Sequence, residues 1–201
     1  MNWWHRAHST PLAATVLTAT MLLVPLLGGS VVPIPSLLAG MSAGIPVALV
    51  LPAVTAALTL HALNRVPRVY DTTAVRPVAS YQAGMLASTA LLAAAIGVGA
   101  AYAADSSMAL AAARNFVGYL GTGLIVQYFV GHLYGPLAVA LVPVLCALIG
   151  LGPGGRPYPW TWPLHEASSA IAAGTSLFLL TSGIAAASLL TPRDASQRTS
   201  A

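Results

Sequence analysis

Residues 108–130 read MALAAARNFVGYLGTGLIVQYFV, and this stretch decides the class of the fold. Its only charged residue is Arg114. A helix needs about 20 predominantly apolar residues to cross the ~30 Å hydrocarbon core of a bilayer. The stretch therefore predicts a membrane-spanning helix.

The composition of the whole chain points the same way. Of 201 residues, 57% are hydrophobic and only 6% are charged, and the mean hydropathy is +0.81. A soluble domain has about 25% charged residues, and a disordered chain combines low hydrophobicity with high charge. Both classes are excluded, and the sequence predicts an integral membrane protein.

Similar apolar stretches recur along the chain and predict an all-α fold. We expect a polytopic membrane helix bundle that forms a single transmembrane domain over residues 1–201. A cleavable signal peptide is the competing interpretation of the first apolar stretch, because a basic head precedes it. About six spans are expected, at 11–27, 37–63, 82–103, 108–130, 135–151 and 167–190, with longer connections at 64–80 and 152–166.

The distribution of arginines predicts the orientation of this bundle. With six spans, both termini, loop 64–80 and the link before the fifth span share one side of the membrane. Loops that carry more arginine face the cytoplasm, so both termini are predicted to be cytoplasmic in a multi-pass cell-membrane protein. Six arginines lie on that side (Arg6, Arg65, Arg68, Arg76, Arg193 and Arg198) and two on the other (Arg114 and Arg156).

Three polar residues of the fourth span are candidate functional residues, because polar groups inside a membrane are costly. Arg114 and Asn115 lie within two turns of its outer end. The arginine either extends to the outer headgroups, or lines a polar pathway or fixes one helix against another. Gln127, near the cytoplasmic end, has the same alternatives.

The two longer loops supply the other candidate residues. Loop 64–80 is either a partner-docking surface or a solvated, positively charged linker. Loop 152–166 either forms a compact structure at the outer interface or is an ordinary aromatic belt. The docking candidates are Arg65, Arg68, Tyr70, Asp71 and Arg76, and the aromatic residues of the outer loop are Tyr158, Trp160 and Trp162.

The sequence lacks the residues that most catalytic and binding sites require. The chain contains no lysine, which excludes a P-loop lysine and Schiff-base chemistry. His165–Glu166 has no second histidine at the spacing of a zinc protease. The arginines lie at the ends of segments rather than in a phosphate-binding stripe. We therefore expect no catalytic site, metal, cofactor or nucleic-acid partner, and we assign Gly118, Gly121 and Gly123 to helix packing.

The chain resembles the small six-span permease subunits of type-2 ABC transporters, in the versions carried by high-GC actinobacteria. The features that carry the resemblance are the span count, loop 64–80, and the segment ARNFVGYLGTGLI (113–125) followed by PYPWTWPL (157–164). In that family the loop between spans two and three carries the coupling helix that contacts the ATPase. The resemblance places that helix around Arg68–Arg76.

The resemblance implies an ATP-driven exporter in which a separate ATP-binding subunit hydrolyses ATP. Two permease copies, identical or not, would pair in the lipid bilayer with two such subunits. The alternative is a membrane scaffold or assembly factor for an envelope or secretion complex, which transports nothing. A membrane enzyme whose chemical groups come from its substrate or a partner is a third possibility.

Overall fold

The computed structural model describes residues 10–27, 30–35, 42–64, 78–152 and 155–189. Six α-helices make up most of this part of the chain, as the sequence predicts. A two-stranded hairpin and one 3₁₀ turn, Trp162–Leu164, complete it. The helices are α1 (Thr10–Leu27), α2 (Val47–Leu63), α3 (Val78–Ala104), α4 (Ser107–Phe129), α5 (Tyr134–Ile149) and α6 (Ala170–Leu189).

The hairpin corrects the predicted start of the second helix at residue 37. Strands β1 (Val31–Pro35) and β2 (Ser42–Pro46) pair antiparallel, with Val31 opposite Pro46 and Pro35 opposite Ser42. Proline disfavours the helical conformation in the residue before it, so the residue before Pro46 is extended and α2 begins only at Val47. Pro52, in contrast, remains inside α2.

Consecutive helices run in opposite directions, so the connections gather at two ends of the bundle. We define the hairpin end as the β1–β2 hairpin, the link 105–106 between α3 and α4, and the segment 150–169. At the opposite end, the Asn64 side-chain amide donates a 2.8 Å hydrogen bond to the backbone oxygen of His132. This bond joins the end of α2 to the link between α4 and α5.

Three of the helices are long and apolar enough to cross a membrane: Ser80–Ala104 in α3, Ser107–Phe129 in α4 and Ala170–Ser188 in α6. The apolar parts of α1, α2 and α5 are shorter, at Pro11–Leu27, Val47–Leu63 and Tyr134–Ile149. At a rise of about 1.5 Å per residue, these helices alone do not reach the ~30 Å of a typical hydrocarbon core.

Helix α4 lies at the centre of the bundle and contacts each of the other five helices. Of its most apolar 18-residue window, 72% is buried inside the protein, against 33% for α3 and 22% for α6. Phe116, Tyr119 and Leu120 of α4 are fully enclosed and form the middle of the hydrophobic core.

Three glycines let neighbouring elements approach α4 on three sides. A Cβ on Gly118 would lie 2.6 Å from Cζ3 of Trp162. A Cβ on Gly121 would overlap the backbone of α6 at Leu179 and Leu180. One on Gly123 would overlap the side chain of Leu60 and lie 2.7 Å from that of Val139. This geometry supports the assignment of Gly121 and Gly123 to helix packing, whereas Gly118 makes room for the ring of Trp162.

Replacement of Gly121 by alanine is expected to destabilise the protein, because the new methyl group would meet backbone that cannot rotate away. Overpacking of this kind costs about 1–3 kcal/mol. The single cysteine, Cys146, is buried, so thermal unfolding can be followed in detergent with a maleimide that fluoresces on reaction with the released thiol.

Gly99→Ala in α3 is the matched control, because a Cβ there meets nothing within 4 Å and alanine favours the helix by about 1 kcal/mol. We expect Gly121→Ala to unfold at a lower temperature than the wild type and Gly99→Ala to unfold at the same temperature or a higher one. Equal unfolding temperatures for the two variants would contradict the close-approach argument.

Candidate functional site

A cavity of about 1050 Å³ opens at the hairpin end and is the candidate site. Its walls come from the hairpin and the start of α2, from the facing ends of α3 and α4, and from the segment 150–169. The apolar part of the lining includes Ile45, Pro46, Leu49, Ala101, Met108 and Leu164, and the polar part includes Asp105, Ser107, His165, Glu166 and Ser168.

The segment 150–169 forms the outer wall through its own hydrogen bonds. Residues Leu151 and Pro157 form an isolated antiparallel bridge. The Thr161 hydroxyl donates to the backbone oxygen of Tyr158 at 2.7 Å and contacts that of Gly150 at 3.2 Å. Glycine and proline provide the turns, and Gly155 adopts a left-handed φ of +74°. The described part of loop 152–166 is therefore compact, and its position at the outer interface stays a prediction.

Arg114 holds this wall against the central helix. Its guanidinium Nη1 donates to the backbone oxygen of Glu166 at 2.6 Å, and Nη2 donates to those of His165 at 2.9 Å and Trp162 at 3.3 Å. A planar guanidinium with five donors can serve several acceptors at once. Arg114 therefore joins α4 to the segment 150–169, a contact between a helix and a loop, whereas the role predicted from the sequence was a contact between two helices.

Asn115 extends the same contact on the buried side. Its Nδ2 donates to the backbone oxygen of Pro163 at 3.0 Å, and its Oδ1 accepts from Nε of Arg114 at 3.3 Å and from Nη2 at 3.2 Å. Asn115 is fully buried. Arg114 and Asn115 together thus bind four backbone oxygens of residues 162–166, and we call this pair the α4 clasp.

Trp162 inserts below the clasp into the helix bundle. Its side chain is only 6% exposed, and its ring lies 5.1 Å from that of Tyr119 at an interplanar angle of 55°. The Tyr119 hydroxyl donates to the backbone oxygen of Leu49 at 3.3 Å, which links this aromatic pair to α2. Tyr158 and Trp160 are 36% and 51% exposed, so of the three aromatic residues named in the outer loop these two are available for an interfacial belt.

The charged groups of the cavity are acidic. Asp105 and Glu166 both line it and are two of the four acids in the chain. Asp105 adopts a left-handed φ of +46° between α3 and α4, a conformation that aspartate and asparagine tolerate better than most residues. No group of three or more histidine, cysteine or acidic side chains suited to a metal ion occurs in the part of the chain that the structure describes.

Gln127 lies far from this cavity, on the last turns of α4. The residue is 8% exposed, and its side chain covers Gly135 of α5, where a Cβ would lie 2.7 Å from Nε2. Among the described residues, this Nε2 has no hydrogen-bond partner. Gln127 therefore does not join Arg114 and Asn115 in one site.

The predicted docking residues of loop 64–80 are not placed by the structure. Arg65, Arg68, Tyr70, Asp71 and Arg76 all lie outside the described residues. Their proposed role stays a prediction from the sequence.

Sequence reasoning missed the acidic residues of the cavity. Asp105 lies in the short link between the third and fourth predicted spans (104–107), to which no role is assigned from the sequence, and His165–Glu166 is interpreted from the sequence only as an incomplete protease motif. One signal was available: both acids lie on the predicted outer side of a chain that has only four acids. Their convergence on one cavity depends on tertiary packing, which no local pattern encodes.

Replacing Arg114 by lysine is expected to weaken the α4 clasp although the positive charge is kept. A lysine ammonium offers its donors from one nitrogen, whereas Nη1 and Nη2 of Arg114 bind different carbonyls, and hydrogen bonds to charged groups contribute about 1.5–3 kcal/mol each. We expect a loss of about 2 kcal/mol in the free energy of unfolding, seen as earlier reaction of Cys146 with the fluorogenic maleimide.

Arg156→Lys is the control for this variant, since it makes the same change at an exposed arginine of the same segment. Exposed substitutions of this kind stay within about 0.5 kcal/mol. If Arg114→Lys and Arg156→Lys unfolded at the same temperature, the clasp would not stabilise the segment.

Comparison of the chain with protein-family models, with curated proteins and with solved structures found no match.

Proposed function

We propose that the chain is a six-span membrane protein with both termini in the cytoplasm. The outward-facing surfaces of α1, α3, α5 and α6 support this proposal, because they carry large apolar side chains of the kind that contact lipid. Isolated apolar residues are normal on soluble proteins, but here they follow each helix along its length. Examples are Leu12, Leu22 and Leu26 on α1, Leu91 and Val98 on α3, Leu137 and Leu141 on α5, and Ile171, Leu177 and Phe178 on α6.

The three shorter helices span the bilayer in this proposal with the help of their flanking residues. A short hydrophobic helix is accommodated by local thinning of the bilayer or by flanking side chains that extend to the interface. For α2 the hairpin continues the chain at the outer end, where Val31 and Val32 of β1 are exposed and apolar. Alternating helix directions then place the hairpin end outside the cell.

Cysteine labelling tests this orientation. In a Cys146→Ser background, Ser168→Cys places an accessible thiol at the hairpin end, since Ser168 is exposed, and Ser196→Cys places one in the C-terminal tail. A membrane-impermeant maleimide should label the Ser168 position in intact cells and the Ser196 position only after permeabilisation, because the arginine-rich side faces the cytoplasm. The reverse pattern would invert the proposed topology.

Within this topology we propose that the chain is the permease subunit of an ATP-driven exporter. A separate ATP-binding subunit docks on loop 64–80, and a second permease copy completes the assembly. One observation carries the proposal: the two helices joined by loop 64–80 also wall the cavity at the far end. Leu49 near the start of α2 and Ala101 near the end of α3 both line it.

In this arrangement, a movement of loop 64–80 would be transmitted to the walls of the cavity through α2 and α3. Helices α2 and α3 run the length of the bundle as continuous elements, so displacement of their cytoplasmic ends shifts the cavity wall. Coupling between the loop and the cavity over this distance requires rigid elements that can adopt two different arrangements. ATP binding in the partner would supply the free energy, and this chain would contribute the walls and the loop.

A membrane scaffold is the second candidate, and the position of α4 favours it. The middle of the bundle is filled by Phe116, Tyr119 and Leu120, so the described part of one copy encloses no path along its axis. An exporter therefore needs a path between two copies or a large rearrangement, whereas a scaffold needs neither.

Affinity purification in mild detergent separates the two candidates. For the exporter, we expect a stoichiometric ATP-binding subunit, and we expect Arg68→Glu with Arg76→Glu to reduce its recovery because the docking charges are reversed. Arg193→Glu with Arg198→Glu makes the same change in the C-terminal tail and should not affect recovery. Recovery of an envelope enzyme in place of an ATPase would support the scaffold. An ATPase that tolerates the loop reversal would exclude docking through these arginines.

A further inference from the structure

We propose that the cavity at the hairpin end binds a lipophilic cation, that is, an amine or onium group carried on an apolar body. The proposal rests on one juxtaposition: two carboxylates, Asp105 and Glu166, lie on a cavity whose other walls are mostly apolar. It concerns binding by this chain alone and goes beyond the proposed transport role, because it requires neither ATP nor a partner.

The size and lining of the cavity suit a small amphiphilic molecule. Ligand sites are typically clefts of about 300–1000 Å³ lined by apolar side chains with a few placed polar groups. This cavity has about 1050 Å³, with Ile45, Leu49 and Met108 among its apolar walls. An apolar body can therefore lie against these walls and remove their apolar surface from water.

The charge of the lining residues determines whether the cavity favours a positively or a negatively charged ligand. The described lining residues include both carboxylates and no arginine, and the chain has no lysine. The nearby guanidinium of Arg114 is occupied by backbone oxygens of residues 162, 165 and 166. Two carboxylates, with no arginine among the described walls and with His165 as the one histidine there, favour a cation and disfavour an anion of the same shape.

Both acidic residues are held in place by the fold. Arg114 fixes the backbone of Glu166 through a 2.6 Å hydrogen bond. Asp105 occupies a tight two-residue link between α3 and α4 in a left-handed conformation. Asparagine also tolerates this conformation, so Asp105→Asn removes the charge while keeping the turn.

The test compares two ions of similar shape and opposite charge, tetraphenylphosphonium and tetraphenylborate. Equilibrium dialysis against the full chain in nanodiscs, with empty nanodiscs subtracted, measures the retention of each. We expect the wild type to retain the phosphonium and not the borate. The variant Asp105→Asn with Glu166→Gln should bind the phosphonium about tenfold more weakly, a change worth about 1.4 kcal/mol.

Two further variants distinguish the cavity from a general charge effect. Ser107 is an exposed cavity residue at the start of α4, and Ser107→Trp should place a bulky ring in the cavity and weaken phosphonium binding while leaving both acids in place. Asp194→Asn removes one carboxylate from the C-terminal tail and should change nothing. The unfolding temperature of each variant establishes that it is folded.

Equal retention of the two ions by the wild type would overturn the proposal, as would full phosphonium binding in the double variant or in Ser107→Trp. Because dialysis uses this chain alone, these results are separate from the purification result. A chain that binds the cation but recovers no ATPase would keep the binding site and lose the exporter proposal.

Discussion

The close approach of backbones around α4 is the constraint on which the rest of the structure depends. Where Gly121 of α4 faces Leu179 and Leu180 of α6, there is no room for a side chain. Gly183 of α6 meets the backbone oxygen of Gly121 in return, at 2.8 Å from where its Cβ would stand. In a membrane, helices associate through close packing rather than through the hydrophobic effect, so this contact sets where α4 can lie.

The position of α4 in turn determines how the segment 150–169 packs at the hairpin end. Because Gly118 leaves a space on α4, the ring of Trp162 can enter the bundle, and the clasp of Arg114 and Asn115 then meets the carbonyls that follow it. These contacts hold the segment 150–169 at the rim and leave the cavity between it and the ends of α3 and α4. Packing of one helix thus creates both the core and the candidate site.

The sequence predicted the helices well because apolar stretches bounded by turn residues carry a strong local signal. It failed at residues 42–46, where the predicted second span overlaps strand β2 and only the conformational effect of Pro46 on the residue before it indicates extended backbone. It named Arg114, Asn115 and Trp162 but left their partners open, because backbone carbonyls have no sequence signature. Asp105 and Glu166 are 61 positions apart, and only the fold brings them to one cavity.

The proline content of the hairpin has a consequence for the behaviour of the protein in crowded membranes. A two-stranded sheet has two open edges, and exposed edges invite strands from other chains. Alternate residues of a strand direct their N–H groups to the same side, and Pro33 and Pro35 have none to offer. The hydrogen bonds to β2 use the N–H groups of the residues that alternate with these prolines. The backbone nitrogens of Pro33 and Pro35 therefore lie on the open edge of β1. The β1 edge of the hairpin therefore offers few N–H groups to a further strand and resists extension into a larger intermolecular sheet.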